Sequence, residues 1–148
     1  GHTALDTEGI ESLQVPANIL DQRFEAAGVF DRAEIQGIQI YIRSIYLQGL
    51  LLLEESEMPK GLANISPALT AIDGICKEFE ITRQQLALGY IRYRYENSKP
   101  VVGAETPEQG MGNCESWTKS FPNEFWYNIS NSIPKVTEQV LNPALWPI

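Results

Sequence analysis

Apolar and polar residues alternate with a period of two in two stretches of the chain, and elsewhere apolar residues recur at helical spacing. Residues 12–18 set Leu13, Val15 and Ala17 on one phase and Gln14, Pro16 and Asn18 on the other, which predicts a strand with Pro16 at an edge or an irregular end. Residues 22–36 carry Phe24, Ala27, Val29, Phe30, Ala33 and Ile35 at near-helical spacing, with Gly37 as the stop. The cleanest strand is 38–44, with Ile38, Ile40 and Ile42 on one face and Gln39, Tyr41 and Arg43 on the other. Residues 54–65 gather Glu, Pro and Gly and predict a surface loop.

A helix is expected from an N-cap at Ser66, with Pro67 in the first turn, to about Phe79. Another begins at the capping box Thr82–Gln85 and presents Leu86, Ala87, Tyr90 and Ile91 on one face. Residues 99–103 form a short buried-type strand that runs into a helix opened by Thr106, Pro107, Glu108 and Gln109. The tail from 120 is rich in aromatic residues (Phe121, Phe125, Trp126, Tyr127, Trp146) and broken by prolines, with one further helix expected near 133–141.

Helices placed between strands predict an α/β fold, a parallel sheet built of βα units. Length then limits the architecture. A complete eight-fold βα barrel takes at least roughly 200 residues, so 148 residues can hold only a partial one. Gly1 and His2 read as the scar of a cleaved tag, which leaves 3–148 as one domain.

The balance of 11 basic against 19 acidic residues, a net charge of −8, comes with lysines and arginines scattered singly. Nucleic acid is therefore not expected as a partner, since it is bound by clustered cations. The longest apolar run, Leu50 to Leu53, is far short of the roughly 20 residues of a membrane helix, and with no leader at the start the expected location is cytoplasmic. Cys76 and Cys114 make no disulfide framework, and no Cys/His spacing suits zinc.

In a parallel βα array, ligands sit at the carboxyl ends of the strands, where loops and helix N-termini converge. The residues there are Asn18 and Asp21, then Arg43, Ser44 and Leu47-Gln48-Gly49, then Gly103, Ala104, Glu105 and Thr106. Gly103 and Ala104 remove bulk just before a helix N-terminus, an arrangement that suits a phosphate or an ordinary turn; Glu105 opposes the former. Gln14 and Asn18 share a face and could bond a planar carboxamide, or could instead satisfy buried backbone groups. An inward Arg43 requires an anion, from the protein as an ion pair or from a ligand as a phosphate. No nucleophile elbow, P-loop, HExxH or G-x-G-x-x-G occurs.

Three blocks, Leu13 to Arg23, Arg43 to Leu51, and Val101 to Gln109 followed by Asn113, resemble in their order and spacing the aldo-keto reductase family. The resemblance is to the carboxyl-terminal half, the sixth to eighth strands of that family's βα barrel, and runs from about residue 8 to 142. It implies a half TIM barrel that binds NADP across the strand ends. By this resemblance Gln14 falls where a glutamine holds the nicotinamide amide, and Ser44 with Leu47 to Gly49 in the loop lining the pyrophosphate. Gly103, Ala104, Gln109 and Asn113 fall in the segment that cradles the adenosine 2′-phosphate and adenine. Members often carry Lys or Arg at the positions of Gly103 and Gln109, and neither is basic here, so the choice between NADPH and NADH stays open. Gly110 and Gly112 lie inside the expected helix, each unfavourable by about 1 kcal/mol relative to Ala.

The family's catalytic Asp, Tyr, Lys and His lie on amino-terminal strands, and nothing here resembles them. The resemblance therefore implies the cofactor half of a carbonyl reductase, inactive alone; the alternative is a non-enzymatic half-barrel serving assembly or small-molecule binding. Strands cut from a barrel leave open edges and an uncovered inner face bearing Tyr41, Arg43, Gln14 and Asn18. A homo-oligomer, or the missing amino-terminal half, is the expected partner. Otherwise the aromatic tail would fold over that face.

Overall fold

A computed structural model describes residues 2–129 and 131–146; Gly1 of the expected tag scar lies outside them. The elements run α1 (His2–Leu5), β1 (Ser12–Pro16), α2 (Arg23–Ala26), α3 (Val29–Ile35), β2 (Gln39–Arg43), α4 (Ser66–Glu78) and α5 (Arg83–Arg94), then β3 (Lys99–Pro100), α6 (Pro107–Thr118), α7 (Asn123–Ile129) and α8 (Glu138–Leu141). The strands form one open parallel sheet in the order β1-β2-β3, as the helix–strand alternation predicts. Gln14 stands opposite Tyr41 and Pro16 opposite Arg43, while Tyr41 pairs on its other side with Lys99.

The period-two pattern sorts the two faces. Val15, Ala17, Ile40 and Ile42 are buried in a cluster with Val29 and Ala33 of α3, Ala68, Leu69, Ile72 and Ile75 of α4, and Leu86 to Leu88 of α5. Each large aliphatic side chain buried in this way contributes about 1.5–3 kcal/mol. The opposite face carries Gln14, Arg43 and Lys99 exposed and Tyr41 half-buried, with the Lys99 ammonium 5.7 Å from the Tyr41 ring centre. These side chains give the open face a polar row at the strand positions that pair across the sheet.

Several local expectations are corrected. The helix over 22–36 is two helices, because Gly28 adopts a left-handed φ of 70° and its N–H turns back to the Glu25 carbonyl at 2.8 Å. Its far end follows the pattern: Gly37 has φ 69°, and Ile38 N–H reaches the Ala33 carbonyl at 2.8 Å, closing a Schellman motif. Ser66 is not a cap. A 3₁₀ turn over Ala63–Ile65 runs straight into α4, so Ser66 is already helical and its side chain caps nothing. The third strand is shorter than 99–103, since Pro100 brings no N–H to the ladder; one bond from Val101 N–H to the Ile42 carbonyl (2.8 Å) extends it.

The tail holds two helices where one was expected. α7 begins directly after Pro122, and the expected helix at 133–141 shrinks to Glu138–Leu141 beyond Pro134. Phe121, Phe125 and Trp126 stack among themselves and against Tyr90 and Tyr93 of α5. The tail thus covers the outer side of α5 and leaves the polar sheet face open. Burial raises the Tyr90 phenol to about 12. The capping box at Thr82 forms as its spacing predicts, with Gln85 N–H to Thr82 Oγ1 at 3.1 Å and Thr82 N–H to Gln85 Oε1 at 3.0 Å.

Candidate functional site

The carboxyl ends of the three strands open on one side of the sheet, and their loops are tied to one another by side chains. After β1, Asn18 is fully buried. Its Oδ1 accepts from Leu20 and Asp21 N–H (2.9 and 3.0 Å), and its Nδ2 donates to the Ser44 carbonyl at 3.0 Å. Both ends of this amide hold backbone, so of the two readings open for Asn18 the structural one is observed. Asp21 is buried too and grips Arg23 with both oxygens, Nε to Oδ1 at 2.9 Å and Nη2 to Oδ2 at 3.0 Å. Arg23 reaches on to the Leu141 carbonyl (3.2 Å), pinning the end of the tail beside this loop. Gln14 differs: it is exposed on the open face, and among the described residues no side-chain partner engages its amide.

The loop after β2 is backbone-strained. Ser44, Leu47 and Gln48 take left-handed φ values of 59°, 49° and 56°, followed by Gly49 at 86°. Such a conformation is unfavourable for non-glycine residues by about 1–2 kcal/mol each. Residues held in this way cluster where structure is over-determined, often at ligand sites. Leu47 contributes no side chain to that surface, since it is 1% exposed and packs in the core, and its N–H is spent on the Ser44 carbonyl (2.9 Å). Its carbonyl accepts from the Leu50 N–H at 3.0 Å, so its backbone is engaged within the turn as well. Arg43 is exposed, donates to Ser44 Oγ at 3.1 Å, and meets no carboxylate among the described residues. The expected ion pair within the protein is therefore not found.

The loop after β3 is joined to both neighbours through Asn113 of α6. Its Oδ1 accepts from the Tyr46 hydroxyl (2.7 Å) and from Gln84 Nε2 (2.8 Å), and its Nδ2 donates to the Gly103 carbonyl at 3.3 Å. Burial pushes the Tyr46 phenol up to about 12, which keeps it a donor at neutral pH. Tyr46 and Gln84 were not singled out from the sequence. Tyr46 lies inside the second block, but nothing in the spacing shows that a residue of α6 faces it.

Gly103 is exposed, and a Cβ built on it would meet no atom within 4 Å, so the space beyond its backbone is open. Thr106 Oγ1 accepts from Gln109 N–H at 3.2 Å, capping α6 as predicted. The Gln109 side chain, however, takes the Glu105 N–H (2.7 Å) instead of that of Thr106. Gly112 lies 3.7 Å from the Gln84 amide group when given a Cβ, and α6 continues unbroken through Gly110 and Gly112. A Cβ at either glycine would meet only ordinary van der Waals contacts, Ala104 at Gly110 and Gln84 at Gly112, and neither glycine interrupts the second turn.

Among the described residues no group of three His, Cys, Asp or Glu could hold a metal ion, and no helix is long and apolar enough to cross a membrane. Ala104 is exposed at the mouth of the Gly103 segment.

A family model described as the aldo/keto reductase family matches residues 6–133. Among solved structures, an aldo-keto reductase from Bacillus halodurans, AKR11C1, superposes in its apo form with a TM-score of 0.72 and 20% identity, covering 95% of this chain and 50% of that one. Its holo form gives 0.70 and 21%, covering 95% and 49%. A thermostable aldo-keto reductase, Tm1743, solved with the inhibitor epalrestat, gives 0.60 and 18%, covering 80% and 38%. The chain thus spans half or less of the length of these structures. No curated protein sequence matches it.

Proposed function

Because this chain belongs to the aldo/keto reductase family, we propose that it is the carboxyl-terminal, cofactor-binding half of an NADP-dependent carbonyl reductase. The observation that carries this reading is the linkage of the three strand-end loops. Asn18 holds Ser44, and Asn113 holds Tyr46 and Gly103, so segments far apart in sequence form one continuous rim.

The residues present fit a dinucleotide unevenly. At the nicotinamide end, Gln14 offers an uncommitted amide on the open face, with both a donor and an acceptor for a carboxamide. At the middle, the pyrophosphate would lie along Ser44 and the left-handed turn to Gly49. At the adenosine end, Gly103 and Ala104 leave room. Asn113 and Gln109 already spend their carbonyl oxygens inside the fold, so they would meet a ligand through their remaining N–H groups. No basic side chain stands at Gly103 or Gln109 to favour the 2′-phosphate, which makes a narrow margin of NADP over NAD the expected result. When bound, the cofactor supplies a hydride; this chain's residues hold and orient it, and they provide no proton donor matching the family's tetrad.

Titration calorimetry of the chain with NADP⁺ tests the reading. Binding is expected, and Gly103→Trp is expected to abolish it with the fold intact, since the new side chain leaves an exposed backbone position whose Cβ meets no protein atom within 4 Å. Unchanged affinity in that variant would remove Gly103 from the site. No turnover of an aldehyde is expected from the chain alone, because general acid catalysis typically supplies about 10²- to 10⁴-fold.

We infer further that the sheet is completed in trans. Among the described residues β1 and β3 each pair on one side only, and unpaired edges are templates for pairing. Light scattering behind size-exclusion chromatography should give about twice 16.6 kDa for a homodimer. A single 16.6 kDa species across dilution would leave the amino-terminal half as the required partner.

A further inference from the structure

In an acidic chain most guanidinium groups find an acid, and the exception marks a site. Arg23, Arg32, Arg83 and Arg94 pair with Asp21, Asp6, Asp73 and Glu25, and Arg92 donates to the Trp117 carbonyl. Arg43 does neither. With 19 acidic residues against 11 basic ones, its side chain bonds only Ser44 Oγ among the described residues. It stands at the carboxyl end of the middle strand, on the open face, with Pro16 beside it and Gln14 one row deeper on the adjacent strand. Gln14 and Arg43 are thus diagonal neighbours, roughly 8 Å apart at the backbone and within reach of a long side chain. A guanidinium enclosed there by the rest of a barrel is unfavourable by several kcal/mol unless an anion meets it.

We propose that Arg43 is a specificity-determining residue that receives the carboxylate of the substrate, which is a carbonyl compound carrying an acid group next to its reacting carbon, a 2-oxo acid. This rests on the reading that Gln14 holds the nicotinamide. A carbonyl set against the nicotinamide would then share the open face with the Arg43 fork, which matches a carboxylate with two parallel N–H donors. The pyrophosphate is the competing anion, since the turn assigned to it begins at Ser44; it is the inferior match because Arg43 still belongs to β2 and shares the open sheet face with Gln14, whereas that turn lies beyond the strand end.

The test uses the ¹⁵N-labelled chain, with the Arg43 Nε–Hε signal assigned by its loss in Arg43→Lys. Pyruvate added in the presence of NADP⁺ is expected to shift this signal saturably, and neutral hydroxyacetone is expected to leave it in place. Read at the Ser44 amide, Arg43→Gln should weaken pyruvate by about ten-fold or more, the scale of a charge-assisted bond, with Arg43→Lys retaining part of the affinity. The proposal is overturned if inorganic pyrophosphate or NADP⁺ alone saturates the shift and pyruvate adds nothing, which would give Arg43 to the cofactor phosphates. It is equally overturned if pyruvate moves nothing. If calorimetry shows no NADP⁺ binding while the pyruvate response persists, the cofactor reading fails and the carboxylate site stands.

Discussion

Trp126→Ala is expected to lower stability by about 3–5 kcal/mol, the range for emptying a large aromatic site, a large share of the about 5–15 kcal/mol that domains hold in all. The indole is 3% exposed. It lies edge-on to Phe125 and Phe121, with ring centres 4.7 and 5.3 Å away, and is stacked at 5.6 Å on Tyr93. Beneath it sits Gly89 of α5, where a Cβ would come within 2.9 Å of two indole carbons. The glycine therefore makes the seat for the ring, and Gly89→Ala should be unfavourable by about 1–3 kcal/mol through overpacking. Trp126→Phe, which keeps most of the apolar contact, should lose less than either. Denaturant unfolding followed by far-UV circular dichroism checks all three. A Trp126→Ala midpoint close to that of the unaltered protein would show that the tail docks on α5 without holding it.

Asn113→Leu is expected to destabilise by about 3 kcal/mol and to weaken NADP⁺ binding with it. Leucine matches the volume but removes the acceptor shared by the Tyr46 hydroxyl and Gln84, together with the donor to the Gly103 carbonyl. Each partly buried polar group left without its partner is unfavourable by about 1–3 kcal/mol. Asn113→Asp separates the two halves of the bracket: it keeps an acceptor for Tyr46 and Gln84 and sets a carboxylate oxygen where the donor to the Gly103 carbonyl stood. Its stability should fall less than that of Asn113→Leu, by about 1–3 kcal/mol for the orphaned Gly103 carbonyl, while the Gly103 loop is freed and dinucleotide affinity drops. Equal loss of stability in the two variants would mean that the shared acceptor is not what holds the rim.

The candidate site was legible from the sequence as three short segments, each ending a strand, but their chemistry was only partly so. Gln14 and Arg43 emerge on the open face as the period-two alternation requires, and Gly103 opens the way to a capped helix. Asn18 and Leu47 are different. Both lie in the right loops, yet the buried amide of Asn18 is consumed by three backbone partners and the Leu47 side chain turns into the core. A left-handed φ at Leu47 reverses where its side chain points, and no propensity at leucine announces that conformation.

Periodicity by itself determined the strand faces, the two threonine caps and the stop at Gly37, because each rests on groups within a few residues of one another. The parallel direction followed from the alternation of helices with strands, which leaves few ways to connect them. The tertiary structure alone decided which polar groups remain free for a ligand. Whether Arg43 meets an acid, whether Asn113 has an oxygen to spare and what rests on Gly89 depend on residues 29 to 67 positions away in the chain, or on another helix. Such meetings are set by how the loops and helices pack, and local spacing carries no record of them.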